Sequence, residues 1–208
     1  MPSNLTSEPL ISCSDSNIPC SPLHCTMDND EHHSHQVHDN TSIMANRYTY
    51  MRKLGKGSQG QVWLAKRNSD NELVAIKQLN IHSVTTWKMY ELFKREANIL
   101  ENLNIQGVVP FYEYVEDLQA QPPFVCIVQK FIDGQTLAEM LKSKHRFETE
   151  TIYDIITQIL KILEKLHTHH PPVIHRDIKP SNLMLTPTND HRYTVTLLDF
   201  GAVANPQV

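Results

Sequence analysis

Three glycines in the stretch GKGSQGQVWLAKR, at Gly55, Gly57 and Gly60, restrict this chain more than any other feature. The G-x-G-x-x-G spacing occurs where a strand turns into a helix, and also where two strands meet at a turn. The residues after Gly60 decide between them. Gln61-Val62-Trp63-Leu64-Ala65 is β-branched, aromatic and alternating, so the glycines join two strands and do not open a helix. That excludes a dinucleotide-binding βαβ unit. A strand–turn–strand built on glycine lets backbone N–H groups approach a polyphosphate with no Cβ in the way. After a turn at Ser69-Asp70-Asn71 a third strand, Leu73-Val74-Ala75-Ile76, ends in Lys77. A lysine there can simply snorkel to solvent, but beside a phosphate cradle its point charge has an electrostatic use.

TTWKMYELFKREANILENLN, at 85–104, has helical period, with Leu92, Ala97, Ile99, Leu100 and Leu103 expected on one apolar side and Glu96 at its edge. If this helix packs on the small sheet, Glu96 can pair with Lys77, with Glu91 as the competing candidate on a more polar side. Val108-Val109-Pro110-Phe111 and PFVCIVQKFIDG read as two further strands, the second leading into Gly134. A long amphipathic helix is expected next. Ile152, Ile155, Ile156, Ile159, Leu163 and Leu166 would be its core positions, Thr149 or Thr151 its cap, and Pro171-Pro172 its end.

VIHRDIKPSNLML then places His175, Arg176, Asp177, Lys179 and Asn182 within eight residues. A carboxylate held by a tight loop can accept the proton of an attacking hydroxyl, and a nearby lysine can neutralise a phosphoryl group in transfer. Asn182, and Asp199 after the strand Val195-Thr196-Leu197-Leu198, offer hard oxygens to a cation. A charged surface turn would not account for both order and spacing.

The first 47 residues differ from the rest. They carry six acids and one base, net −5 against −4 for the whole chain, and are rich in Ser, Asn, Asp and His. Such a segment buries too little apolar surface to offset its ordering entropy, so residues 1–47 are expected to be a disordered polar tail with a boundary near Asn46-Arg47-Tyr48. Cys13, Cys20 and Cys25, with His24, His32, His33, His35 and His38, could ligate zinc, but their spacing is looser than a CxxC knuckle. The net charge argues against a nucleic-acid binder. No apolar run reaches the ~18 residues that span a bilayer, and no secretory signal opens the chain, so the expected location is cytoplasmic.

Taken together, GKGSQGQV, VAIK, HRDIKPSN and DFG stand in the order of the eukaryotic-type protein kinases, which residues 48–208 resemble. The wording of HRDIKPSN and LLDFGAVANPQ, with Lys179 after Asp177, resembles bacterial, cyanobacterial-like serine/threonine kinases more than tyrosine kinases. The resemblance implies an α+β, two-lobed fold: a small β-rich lobe with one helix at about 48–132, and part of a helical large lobe at about 133–208. It implies ATP and Mg2+ as cofactors and a protein Ser/Thr hydroxyl as substrate. Gly55, Gly57 and Gly60 would cover the phosphates, Leu54 would also bind ATP, and Val62 and Ala75 would sandwich the adenine. Lys77, held by Glu96, would grip the α- and β-phosphates. Gln129 would guard the back of the pocket, and Lys130 and Ile132 would offer backbone groups to the base. Asp177 would be the catalytic base, Lys179 would steady the γ-phosphate, and Asn182 and Asp199 would hold magnesium. His175 and Phe200 would pack the two loops together, and Arg176 would meet a phosphorylated residue. With no A-P-E before Val208, a truncated domain with little turnover of its own, or a nucleotide-binding or interaction module, is expected.

Overall fold

The computed structural model describes residues 42–57, 60–81 and 84–203. A short helix α1 (Ser42–Arg47) leads into β1 (Tyr48–Gly57), β2 (Gly60–Arg67) and β3 (Leu73–Asn80). Helix α2 (Val84–Glu101) then precedes β4 (Phe111–Asp117) and β5 (Phe124–Lys130). The five strands form one antiparallel sheet in the order β1-β2-β3-β5-β4. The chain passes from β3 through α2 to the far edge, then returns to the interior, which is why β5 is buried at every position except Lys130. A second, three-stranded sheet combines β6 (Gln135–Thr136), β7 (Leu183–Pro187) and β8 (Tyr193–Leu197). With it come α3 (Leu137–Lys142), α4 (Thr149–Thr168) and a 3-10 turn at Pro180–Asn182. The fold is α+β with two lobes, as the sequence predicts.

Alternation along β3 and β5 divides the small lobe between two cores. Val74 and Ile76, with Cys126 and Val128, face a cluster that also takes Met44, Tyr48 and Phe124. Leu79, Val125 and Ile127 face the other way, into a larger core shared with α2, α4, β7, β8 and Phe200. That second face bounds the cleft. Capping is local where the sequence provides it: Thr136 and Glu139 form a reciprocal capping box at the start of α3.

Five expectations are corrected. Residues 42–47, assigned to the polar tail, form α1, because Met44 is fully buried and Arg47 pairs with Glu113 of β4. The cysteines and histidines considered for zinc lie outside the described residues. In α2 the buried stripe is Tyr90, Phe93, Ala97 and Leu100, and Leu92 is 38% exposed. Residues 90, 93, 97 and 100 keep the i, i+3, i+7 spacing that Leu92 breaks. Val108 and Val109 do not open a sheet strand. Val108 forms a parallel bridge with Leu197, the Val109 amide donates to the Leu197 carbonyl (3.0 Å), and β4 begins only after Pro110. In α4, Ile155, Ile162 and Leu166 are buried, whereas Ile152 and Ile156 face outward with Tyr153 and Leu160. Its N-cap is Glu148, without a side-chain bond, and not Thr149 or Thr151.

Candidate functional site

Lys77 lies at the centre of the cleft. Its ammonium lies 2.7 and 2.9 Å from the two carboxylate oxygens of Glu96 and 3.1 Å from Oδ1 of Asp199. It also lies over the Phe93 ring, 5.5 Å from the centroid. Glu96 is the partner because α2 presents its buried stripe to the sheet face that carries Lys77, and Glu96 adjoins Ala97 on that stripe with 1% of its side chain exposed. Glu91, one and a half turns earlier, is exposed. Burial works against the charge on Lys77, but Glu96 and Asp199 outweigh it and hold the ammonium above the usual lysine range. Burial likewise pushes the Glu96 carboxyl up while Lys77 pulls against it. Asp199 goes the other way: burial raises it, but Lys77 and the Gly201 amide prevail and hold it below the usual aspartate value.

The turn 175–182 is fixed from both sides. His175, 1% exposed, meets Phe200 edge-on with centroids 4.8 Å apart, and burial lowers its imidazole below the ordinary histidine value. Phe200 is as deeply buried, and its amide approaches Glu96 at 3.5 Å. The pair therefore ties the 175–182 turn to the segment carrying Asp199. Arg176 is exposed and takes φ +63, a left-handed conformation that a non-glycine residue holds only when its surroundings demand it. Asp177 Oδ2 accepts from Lys179 Nζ (2.6 Å) and from Asn182 Nδ2 (3.1 Å). Asn182 Nδ2 also donates to the Asp177 carbonyl at 2.9 Å, so its amide nitrogen is committed. Its amide oxygen takes only a long bond from the Ser181 hydroxyl (3.4 Å) and is the end left to offer outward. The Leu198 amide donates to the Asn182 carbonyl (3.0 Å), which sets the end of β8, and so Asp199, against this turn.

The glycines differ in their demands. Gly60 has φ +136, and a Cβ there would lie 2.2 Å from the Gln78 carbonyl oxygen. At Gly55 a Cβ would meet nothing within 4 Å. Gly57 closes the hairpin opposite Gly60, and 58–59 lie outside the described residues. Leu54, 36% exposed, stands on β1 just before this turn. Across the sheet Val62 is opposite Lys77, and Leu64, Ala75 and Gln129 form the next row, so Val62, Lys77, Ala75 and Gln129 share one face. At the end of β5 the Lys130 amide donates to the Pro110 carbonyl (2.9 Å), so Lys130 can meet a ligand only through its carbonyl. Ile132 is half-buried just beyond.

The sequence reading missed two contacts. Asp199, expected only as a cation ligand, also reaches Lys77, and a contact across 122 positions leaves no local pattern. Gln158 of α4 bonds the Tyr193 carbonyl (2.8 Å) and the Val195 amide (3.0 Å), fastening α4 to β8; the one available signal is a lone glutamine on an apolar helix. Among the described residues no group of three or more His, Cys, Asp or Glu could hold a metal alone. No described helix is long and apolar enough to cross a membrane.

A two-lobed fold whose cleft joins a buried Lys–Glu pair to an Asp-Phe-Gly segment is that of a protein kinase. Residues 48–207 match the protein kinase domain, and the chain belongs to that family. It is 36% identical over 171 residues to the serine/threonine-protein kinase PknA of Nostoc, covering 77% of this chain and 28% of that protein. Against the serine/threonine-protein kinase sid1 of Schizosaccharomyces pombe it is 33% identical, over 78% of this chain and 32% of the relative. Against PknA of Mycobacterium tuberculosis it is 29% identical, over 76% and 36%. The chain thus spans about a third or less of the first two relatives and 36% of the third.

Proposed function

We propose that this chain binds Mg-ATP in the cleft between its lobes and serves phosphoryl transfer to serine or threonine hydroxyls of a protein. The observation that carries the proposal is the meeting of Lys77, Glu96 and Asp199. A buried ammonium held by one deeply buried carboxylate and one partly open one is poised to exchange the open partner for phosphate. Lys77 then grips the α- and β-phosphates while Glu96 keeps it in place, and Leu54, Gly55, Gly57 and Gly60 close over them. Val62 and Ala75 flank the base, and the Lys130 carbonyl and Ile132 backbone meet its edge.

The donor set suits magnesium. Asp199 is held ionised and Asn182 has its amide oxygen to spare, a pair of hard oxygens that phosphates and water would complete. When bound, the ion supplies neutralisation of the developing phosphate charge. Asp177, oriented by Lys179 and Asn182, accepts the proton of the attacking hydroxyl, and Lys179 turns its charge toward the γ-phosphate. We place the domain start at α1 and the crossing between lobes near residues 131–134, and we assign the protein to the cytoplasm, where ATP is available. The relatives' names favour hydroxyl substrates of the serine/threonine type.

A second reading, a nucleotide-binding or interaction module with weak or no turnover, is favoured by the outer face of α4. There Ile152, Tyr153, Ile156 and Leu160 are 44%, 68%, 46% and 60% exposed. One experiment separates the readings. The purified chain is melted with and without Mg-ATP, then incubated with labelled ATP and a generic protein substrate beside Asp177→Asn. ATP should raise the melting temperature, and Lys77→Met should lose that increment. Phosphate transfer abolished in Asp177→Asn supports the kinase, and binding without transfer supports the module. Equal increments in wild type and Lys77→Met would refute both.

A further inference from the structure

A second concavity lies on the large-lobe side, between α3 and the β7–β8 hairpin. This groove of about 490 Å³ is lined by Gly134, Met140, His145, Leu185, Pro187 and Tyr193 among others. Its walls are fixed. Gly134 lies so close to β7 that a Cβ would come within 2.5 Å of the Leu185 carbonyl oxygen, and the Thr186 hydroxyl donates to the Asp133 carbonyl at 2.8 Å. The His145 ring meets Phe147 at 4.6 Å and Tyr193 at 6.4 Å between centroids, edge-on in both cases, and Phe147 meets Tyr193 at 5.8 Å, so the three rings brace one another. The turn that delivers His145 is closed by two amides, Lys144 to the Leu141 carbonyl (3.1 Å) and His145 to the Met140 carbonyl (3.0 Å), with Lys144 at φ +59. Lys142, Lys144 and Arg146 stand exposed on this turn, and none of their side chains is paired with another described residue. On the facing hairpin Arg192 is already matched by Asp190 at 3.6 Å. Asp133, the one acid in the lining, precedes α3, whereas the three cations follow from its last turn. The groove is therefore apolar and aromatic within and positive along one end.

We infer that this groove docks a short, extended, acidic segment of a partner protein, with an apolar side chain seated against Met140, Pro187 and Tyr193 and carboxylates on Lys142, Lys144 and Arg146. The two parts do different work. Exposed ion pairs add little affinity each, so the cations steer the segment and set its direction, acidic end toward Lys144 and away from Asp133. The apolar anchor, taken out of water between rigid rings, supplies most of the binding. A groove of this size accepts a few side chains, whereas a docked helix would need a long apolar trough for its whole stripe. A nucleic acid is a poor occupant, because its phosphates need a continuous basic track and here the cations stop at one end of α3.

The test is fluorescence anisotropy of a labelled synthetic peptide, glutamates around two leucines, titrated with the full 208-residue chain. No nucleotide is added, so the outcome is independent of the cleft reading. Wild type should bind with a Kd of about 100 μM or tighter, and exchanging the leucines for serine should weaken binding about tenfold or more. Lys144→Glu/Arg146→Glu should also weaken it about tenfold or more. Lys161→Glu/Lys165→Glu makes the same change in net charge at exposed positions of α4 and should stay within about twofold of wild type. Equal losses in the two double variants, or equal binding of the serine peptide, would mean that the peptide feels only net charge, and either overturns the inference. So does an absence of binding up to about 1 mM chain. Self-association that Lys144→Glu/Arg146→Glu abolishes would give the groove to a second copy of the chain and overturn it as well. If that variant does not melt cooperatively, Lys144→Gln/Arg146→Gln replaces it, with an expected loss of about threefold or more.

Discussion

Glu96→Ala is the sharpest probe of the cleft. The substitution removes a carboxylate whose oxygens lie 2.7 and 2.9 Å from Lys77, in a pair whose side chains are 1% and 13% exposed. Removing one member of a buried pair costs about 3–5 kcal/mol, chiefly because the survivor is left charged and undersolvated. Here Asp199 remains 3.1 Å away, so the lower end applies, about 3 kcal/mol. For a domain of this size each kcal/mol moves the melting temperature by about 2–4 °C, which gives a fall of roughly 6–12 °C. The second arm is Lys77→Met/Glu96→Ala. With both charges gone only Asp199, 38% exposed, loses an ionic partner, so the double variant should melt clearly above the sum of the two single losses. Circular dichroism melts of the four proteins, without nucleotide, decide it. A fall of less than about 2 °C for Glu96→Ala, or losses that simply add, would refute the view that Lys77 depends on this carboxylate for its burial.

Gly60→Ala sets a Cβ 2.2 Å from a backbone oxygen at φ +136 and should destabilise by about 2–3 kcal/mol, seen as a lower melting temperature. Gly55→Ala, with open space around it, should stay within about 0.5 kcal/mol of wild type. Met44→Ala empties a fully buried position and should cost about 2–4 kcal/mol in urea unfolding. Ile43→Ala, at a position 45% exposed, should change little, and equal effects at the two would argue against α1 belonging to the folded domain.

The parts of the fold legible in the sequence are those whose signal is local. The first hairpin and β3 come from alternation and turn chemistry over a few residues, and the 175–182 turn from its dense polar cluster. The errors share a cause. Met44 is a single apolar residue in a polar stretch, and only the sheet it packs against makes it core. Leu92 and Phe93 are both apolar, so composition could not say which one α2 turns inward; the partner surface does. α4 is apolar on both sides, and periodicity alone cannot say that one stripe, through Ile155 and Ile162, is covered and the other is not. Within the site, residue types and order were legible, but the contact of Lys77 with Asp199 exists only once distant strands are brought together.

The bridge at 107–109 has a consequence for how the cleft keeps its shape. The Leu197 amide donates to the Gly107 carbonyl at 2.8 Å and the Leu197 carbonyl accepts from Val109 at 3.0 Å, so β8 is clasped by the segment that follows α2. Gly107, at φ +93, lets that segment pass against Ile162 of α4, where a Cβ would come within 2.5 Å of the isoleucine side chain. Glu96 sits on the helix entering this clasp, and Asp199 follows the strand held in it. Both acids thus lead into one clasp, Glu96 five residues before the end of α2 and Asp199 two residues after Leu197. Loosening the clasp would therefore disturb both partners of Lys77 at once, Glu96 through α2 and Asp199 through β8.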